Sequence, residues 1–296
     1  MTNAYQVIPA PLASPPRQGL LASAVRPDVA GRRWEGGIVF HPEASLGAGL
    51  EDGGAWWDGC LSGGDVTVPD DPKTDGPTCL ADVDYLPWYV VEAQQRPATS
   101  FGPDEYQAIA TRRLVANESI KAEAEFWSGT VAQASGSGNN YLQIAGTPVL
   151  GTGSIASALA AAQQYLADTI PGRGMIHARP YVVSLWRSAH MVEQSGNLLL
   201  DVFGNIIVAG QGYDGSAPTG TATDPFVLEA IYATGLVQYL GGPVENVGSY
   251  QEDLDRDTNL VTVRAERLTA TFHDEQAQAC VLVDLTDACP SYTLNI

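Results

Sequence analysis

The sequence predicts an α+β fold, and three observations carry that reading. A single long amphipathic helix is written over residues 103–128. A Gly- and Asp-rich excursion bounded by β-rich runs occupies about 34–98. The last third alternates apolar and polar residues as antiparallel strands do. Strands and helices do not alternate regularly, which argues against a doubly wound sheet or a βα-barrel.

Residues 1–30 hold Pro9, Pro11, Pro15, Pro16 and Pro27 with little apolar periodicity. Proline fixes φ and removes backbone donors, so this segment reads as an extended arm. It is either a disordered tail or an arm ordered on a neighbouring subunit.

Trp34–Phe40 and Tyr85–Val91 are β-rich. Between them lie Gly47, Gly49, Gly53, Gly54, Gly59, Gly63 and Gly64, followed by Asp65, Asp70, Asp71 and Asp75. A polar loop this long is uncommon inside a compact domain. Trp56 and Trp57 stand in its middle with little local core to join, so they are expected to bury against a partner. Trp34 and Trp88, in the flanking runs, complete the set of candidate assembly-interface residues.

Pro103 suits the first position of the long helix, and Asp104 and Glu105 complement its dipole. Tyr106, Ile109, Ala110, Leu114, Asn117, Ile120, Ala124 and Trp127 form the expected apolar stripe, and Gly129 the stop. Ser154 is the expected N-cap of a second helix that buries Ile155, Ala158, Leu159, Ala162, Tyr165 and Leu166 and ends at Pro171-Gly172. Met175–Ala178 reads as a strand, and Pro180 opens a third helix through about Met191. Leu198–Phe203 and Ile206–Val208 flank Gly204-Asn205, a two-residue hairpin signal. Two β-runs lie about Ala233-Thr234-Gly235. Val261, Val263 and Ala265 face one way and Thr262, Arg264 and Glu266 the other. Ala279, Val281, Val283 and Leu285 form a closing strand.

Charge narrows the function. Fifteen Lys+Arg against thirty-four Asp+Glu give −19. Such a surface repels phosphate backbones and anionic membranes. Lys73 and Lys121 are the only lysines, and neither completes a phosphate-cradling loop. No basic-then-apolar leader and no membrane-length apolar run is seen, so synthesis in a cytoplasm is expected. There the default state of Cys60, Cys79, Cys280 and Cys289 is the free thiol.

Chemistry finds no footing. There is no Gly-x-Ser-x-Gly and no His-Glu-x-x-His. His177 reads as a hydrogen-bonded core histidine and His273 as a turn residue. Asp253, Asp255 and Asp257 have calcium-loop spacing, but Thr258 replaces the glycine and Arg264 the bidentate Glu, which leaves an acidic turn. No catalytic, cofactor or metal residues are assigned, and the chain is expected not to be an enzyme.

In the order of its elements the chain resembles the major capsid proteins of tailed bacteriophages, a fold also used by encapsulins. Pro103–Gly129, with its Ala122-Glu123-Ala124-Glu125-Phe126-Trp127 end, resembles the family's spine helix. Gly172–His177 and Phe203–Gly210 resemble axial-domain segments, and Thr262–Arg267 with Ala279–Leu285 the returning peripheral strands. The resemblance implies an N-terminal arm over 1–33 and an extended β-hairpin loop over 34–98. The spine helix and the start of the peripheral domain follow over 99–150, an axial domain over 151–245 and returning peripheral strands over 246–296. It also implies hexamers and pentamers of this chain tiling an icosahedral virion shell in the bacterial host cytoplasm. Scaffold, portal and decoration proteins are the family's further partners, and packaged DNA is met only by proximity. No scaffolding segment precedes the arm, so any scaffold would be separate, and two lysines provide poorly for Lys–Asn crosslinks. An encapsulin-like compartment shell shares the fold. An acidic carbohydrate-binding or carbohydrate-active protein, stacking sugars on Trp56 and Trp57, is the reading from another class.

Overall fold

A computed structural model of the chain describes residues 17–29, 31–40, 83–97, 103–135, 141–218, 221, 223–224, 227–247 and 254–286. Its helices are α1 (Leu20–Ser23), α2 (Pro103–Ser128), α3 (Thr130–Ser135), α4 (Ile155–Thr169) and α5 (Pro180–Ser188). The early strands are β1 (Ile38–Phe40), β2 (Val83–Tyr85), β3 (Trp88–Pro97) and β4 (Val149–Ser154). Then come β5 (Met175–Ala178), β6 (Val192–Ser195), β7 (Leu198–Asp201), β8 (Ile206–Ala209) and β9 (Leu228–Thr234). The last are β10 (Gln238–Gly241), β11 (Glu245–Val247), β12 (Leu254–Asp255), β13 (Leu260–Phe272) and β14 (Ala279–Asp284).

Two sheets share the core. The five-stranded one is centred on β13, which pairs antiparallel with β3 along one edge and with β10, β11 and β12 along the other. The seven-stranded one runs β4-β14-β9-β5-β8-β7-β6. The chain passes from one sheet to the other at 235–237 and again at 273–278. The two β-runs about Ala233–Gly235 therefore belong to different sheets. The closing strand, read with the returning strands, pairs instead with β9 and β4 in the larger sheet.

α2 is a strut between these sheets. At about 1.5 Å per residue its length is close to 39 Å. Its N-terminal half lays Tyr106, Ala110 and Leu114 on Val90, Val261, Val263 and Ala265 of the smaller sheet. Its end sends Phe126 and Trp127 into a second cluster with Met175, Val208, Tyr232 and Leu282 on one face of the larger sheet. The other face of that sheet is covered by α4 and α5, where Leu159, Leu166, Val182 and Trp186 meet Ile176, Ile207, Ile231 and Val281.

The helix bounds and the Gly129 stop match the sequence expectation, but the buried stripe does not follow it throughout. Ile120 is 37% exposed, while Glu118, Ala122 and Glu123 are buried. A helix caught between two bodies hides different faces along its length, and hydrophobicity alone could not place charged residues inside. Gly129, at φ +62°, lets the chain turn into α3; a Cβ there would strike the Tyr141 ring.

Three further differences are local. α5 stops at Ser188 rather than near Met191, because Val192–Ser195 pairs with Leu198–Asp201. The β7–β8 connection is the four residues Val202–Asn205, closed by the Asp201 N–H donating to the Asn205 carbonyl at 3.0 Å. The Asp201 carboxylate accepts the N–H groups of Phe203 and Asn205 at 2.9 and 2.8 Å, which selects this loop over the two-residue turn. Residues 17–29 of the expected arm pack on their own chain: Leu20 is fully buried, and Val25 bridges to Gln238.

Candidate assembly surface

Buried carboxylates of α2 and of its neighbour β3 hold the strut to everything around it. On β3, Glu92 accepts from Asn117 at 2.9 Å and pairs with Lys121 and Arg113. Glu118 pairs with Arg267 of β13 at 2.6 Å and accepts the hydroxyl of Tyr239 on β10. Glu123 accepts from the Leu20 N–H at 2.9 Å, the Ser119 hydroxyl at 3.1 Å and the Gly212 N–H at 3.0 Å. Burial pushes its carboxyl above the ordinary range, against those donors and the backbone of Gln211. Glu125 accepts the N–H groups of Val131 and Ala132 at 2.8 and 2.9 Å, capping α3. Gly212 lies so close to α2 that a Cβ would sit 2.2 Å from the Ile120 carbonyl oxygen. These are structural bonds, not a reacting constellation.

Both buried histidines sit against Phe126, each 5.3 Å from its ring. The Thr234 hydroxyl donates to the Gly235 carbonyl at 2.8 Å, so it accepts from His177 Nε2–H at 2.9 Å. His177 Nδ1 then accepts from the Tyr213 hydroxyl at 3.0 Å. Gln278 Nε2 donates to the Leu142 carbonyl and to Thr147 Oγ1, so its Oε1 accepts from His273 Nε2–H at 2.6 Å. Burial lowers His177 to about 3, helped by the charge of His273, and lowers His273 to about 4 against the Gln278 bond. Both are neutral core residues. His177 is as expected; His273 stands just past the end of β13, in the connection between sheets, and is fully buried there.

Trp34 is 8% exposed, in a 3-10 turn over Arg33–Gly36 close to Gly242. Trp88 is half-buried against the cluster under α2. It also lines a groove of about 340 Å³ with Tyr89, Val91, Lys121 and Val131. Trp56, Trp57, the glycines and aspartates around them, Lys73, Cys60, Cys79, Cys289 and Asp253 lie outside the described residues. Cys280 is buried, and burial pushes its thiol up to about 12. Asp255 caps its own turn, accepting from Asp257 N–H at 3.0 Å and from the Thr258 hydroxyl at 2.6 Å. Among the described residues no cluster of His, Cys, Asp or Glu is arranged to hold a metal. Among them, too, no helix is long and apolar enough to cross a membrane.

Large apolar side chains do reach the surface. Val202 and Phe203, at the tip of the Asp201-held loop, are 72% and 74% exposed. The sequence marked this hairpin but gave no sign that its tip is apolar and outward, since both residues read as strand.

A long strut between a small antiparallel sheet and a larger mixed sheet defines the class of architecture. No protein-family model and no curated protein sequence matches the chain. Solved structures do. The capsid of an empty GTA particle, computed with C5 symmetry, superposes with a TM-score of 0.50 at 10% identity, covering 96% of this chain and 94% of that one. A structure from Microbacterium phage Oxtober96 gives 0.50 at 12% identity, over 96% and 95%. One from Gordonia phage Cozz gives 0.50 at 11%, over 96% and 90%. The chain has the tailed-phage major capsid fold.

Proposed function

We propose that this chain is the structural subunit of an icosahedral phage capsid, assembling as hexamers and pentamers into a closed shell around DNA. One observation carries the reading: the fold follows that of a particle capsid over 96% of the chain. In this reading 1–33 is the arm, 34–98 the extended loop, α2 the spine, 151–245 the axial domain and 246–296 the returning part. β14, within the returning part, pairs with β9 and β4 of the seven-stranded sheet. Trp56 and Trp57 anchor the extended loop on a neighbouring copy.

The charge of −19 suits a wall that faces packaged DNA without adhering to it. Scaffold, portal and decoration proteins would be its partners in the host cytoplasm, where the virion is built. Sedimentation and electron microscopy of the purified full chain test this. Closed particles are expected; a monodisperse monomer at high concentration, including with a scaffold present, overturns it.

A further inference from the structure

Between Glu125 and Asp168 the chain carries no Asp, Glu, Lys, Arg or His, although 17% of its residues are charged. That stretch surfaces at β4. The strand ends the seven-stranded sheet and pairs with β14 alone among the described residues. Every residue of β4 is exposed except the half-buried Gly153, with Val149 and Leu150 at 39% and 43%. Edge strands are ordinarily protected by a charge, a proline or a covering element, because their unpaired N–H and C=O groups recruit another chain. β4 reads Val-Leu-Gly-Thr-Gly-Ser and, beyond Pro148 just before its start, has no such guard among the described residues. Exposed Ala156, Ser157 and Ala160 of α4 continue the uncharged surface. The nearest charge in register is Asp284, opposite Ser154 at the strand end. The far edge of the same sheet, β6, carries the exposed Glu193.

We propose that the β4 edge is a surface on which a second copy of this chain docks. The proposal rests on the shell reading and names one contact it uses. The occupant is argued from charge. Two chains at −19 repel wherever acidic surfaces meet, so copies approach most readily where neither presents a charge. A basic partner would be drawn to the acidic surfaces instead, and finds no carboxylate along Val149–Gly153.

Leu150 is the residue to change. The register shifts between Cys280 and Leu282, leaving Leu150 and Gly151 in a bulge where no ladder pairing depends on them. Leu150→Glu in the full chain is expected to lower particle yield about tenfold or more, the effect of a modest contact penalty. Its thermal midpoint should stay within about 2 °C of wild type. Ala108→Glu, the same charge at an exposed site on α2, should assemble normally. Hydrogen exchange on the wild type is the check that needs no variant: amides of 149–154 should be slower in particles than in free subunits. Wild-type yield from Leu150→Glu, or equal exchange in both states, overturns the docking edge and leaves the shell reading standing. A wild type that sediments only as monomer overturns the shell reading itself.

Discussion

The backbone N–H of Leu20 donates to the Glu123 carboxylate at 2.9 Å, joining positions 103 residues apart. The same carboxylate accepts from Gly212, so one buried side chain ties the N-terminal segment, the strut and a loop of the larger sheet's body into one joint. Removing it would strand the buried Leu20 N–H and the part-buried Gly212 N–H, at about 1–3 kcal/mol for a fully buried donor. Glu123→Ala is therefore expected to lose about 3 kcal/mol in urea unfolding. Glu123→Gln, which keeps an acceptor, should lose less.

Close approach at the same joint gives a second expectation. A Cβ on Gly212 would meet the Ile120 carbonyl, the Ala124 nitrogen and Glu123 Cβ at 2.2, 2.7 and 2.9 Å, and two of these are rigid helix backbone. Gly212→Ala should cost about 2–3 kcal/mol or more, as overpacking does. Gly172→Ala, with nothing within 4 Å, should be near neutral. Thermal melts of the two variants decide it.

The strut separates buried from exposed positions sharply. Leu114 is fully buried, so Leu114→Ala should cost about 2–5 kcal/mol. Ile120→Ala and Arg112→Ala, at exposed positions, should each cost less than about 1 kcal/mol. Equal denaturation midpoints for all three would refute the strut.

Acid should loosen the joint between the sheets. His177 and His273 are held neutral at about 3 and about 4, below the ordinary 6.5 of the unfolded chain. A depressed histidine means the unfolded state binds more protons, so the stabilising contribution is full above about pH 6.5 and is lost as pH falls toward 4 and then 3. At about 1.4 kcal/mol per pH unit for each group, roughly 4 kcal/mol disappears by pH 5. Glu123 works in the opposite sense, because burial raises its carboxyl. At Glu92 burial also pushes upward, but Lys121 and Asn117 outweigh it and hold the group low, adding to acid loss below about 4.5. Melts from pH 7 to 5 check the sign, and His273→Gln should reduce the slope.

The tryptophans should divide by assay. Trp34 is buried within its own chain, so Trp34→Ala should lower the subunit melt, by about 3–5 kcal/mol. Trp56→Ala with Trp57→Ala should leave the melt unchanged and reduce particle yield. Loss of the melt in that double variant would put the pair in the subunit core; unimpaired shells would remove their assembly role.

Local chemistry determined much of this protein from sequence alone. Pro103, the acidic first turn and Gly129 bound the long helix, and Ser154 caps the next, because these signals act within a few residues and do not depend on what the helix touches. Period-two alternation marked the inward Val261, Val263 and Ala265 for the same reason. Partnership was beyond such signals. Hydrophobicity placed Ile120 inside and said nothing of Glu118 and Glu123, since a carboxylate is buried only where distant donors converge on it, and Arg267, Leu20 and Gly212 are brought there by the fold. Likewise local signals marked a strand on either side of residues 235–237 without showing that the two pair in separate sheets. Strand propensity is local, whereas the choice of partner is a competition among all the edges that the folded chain presents.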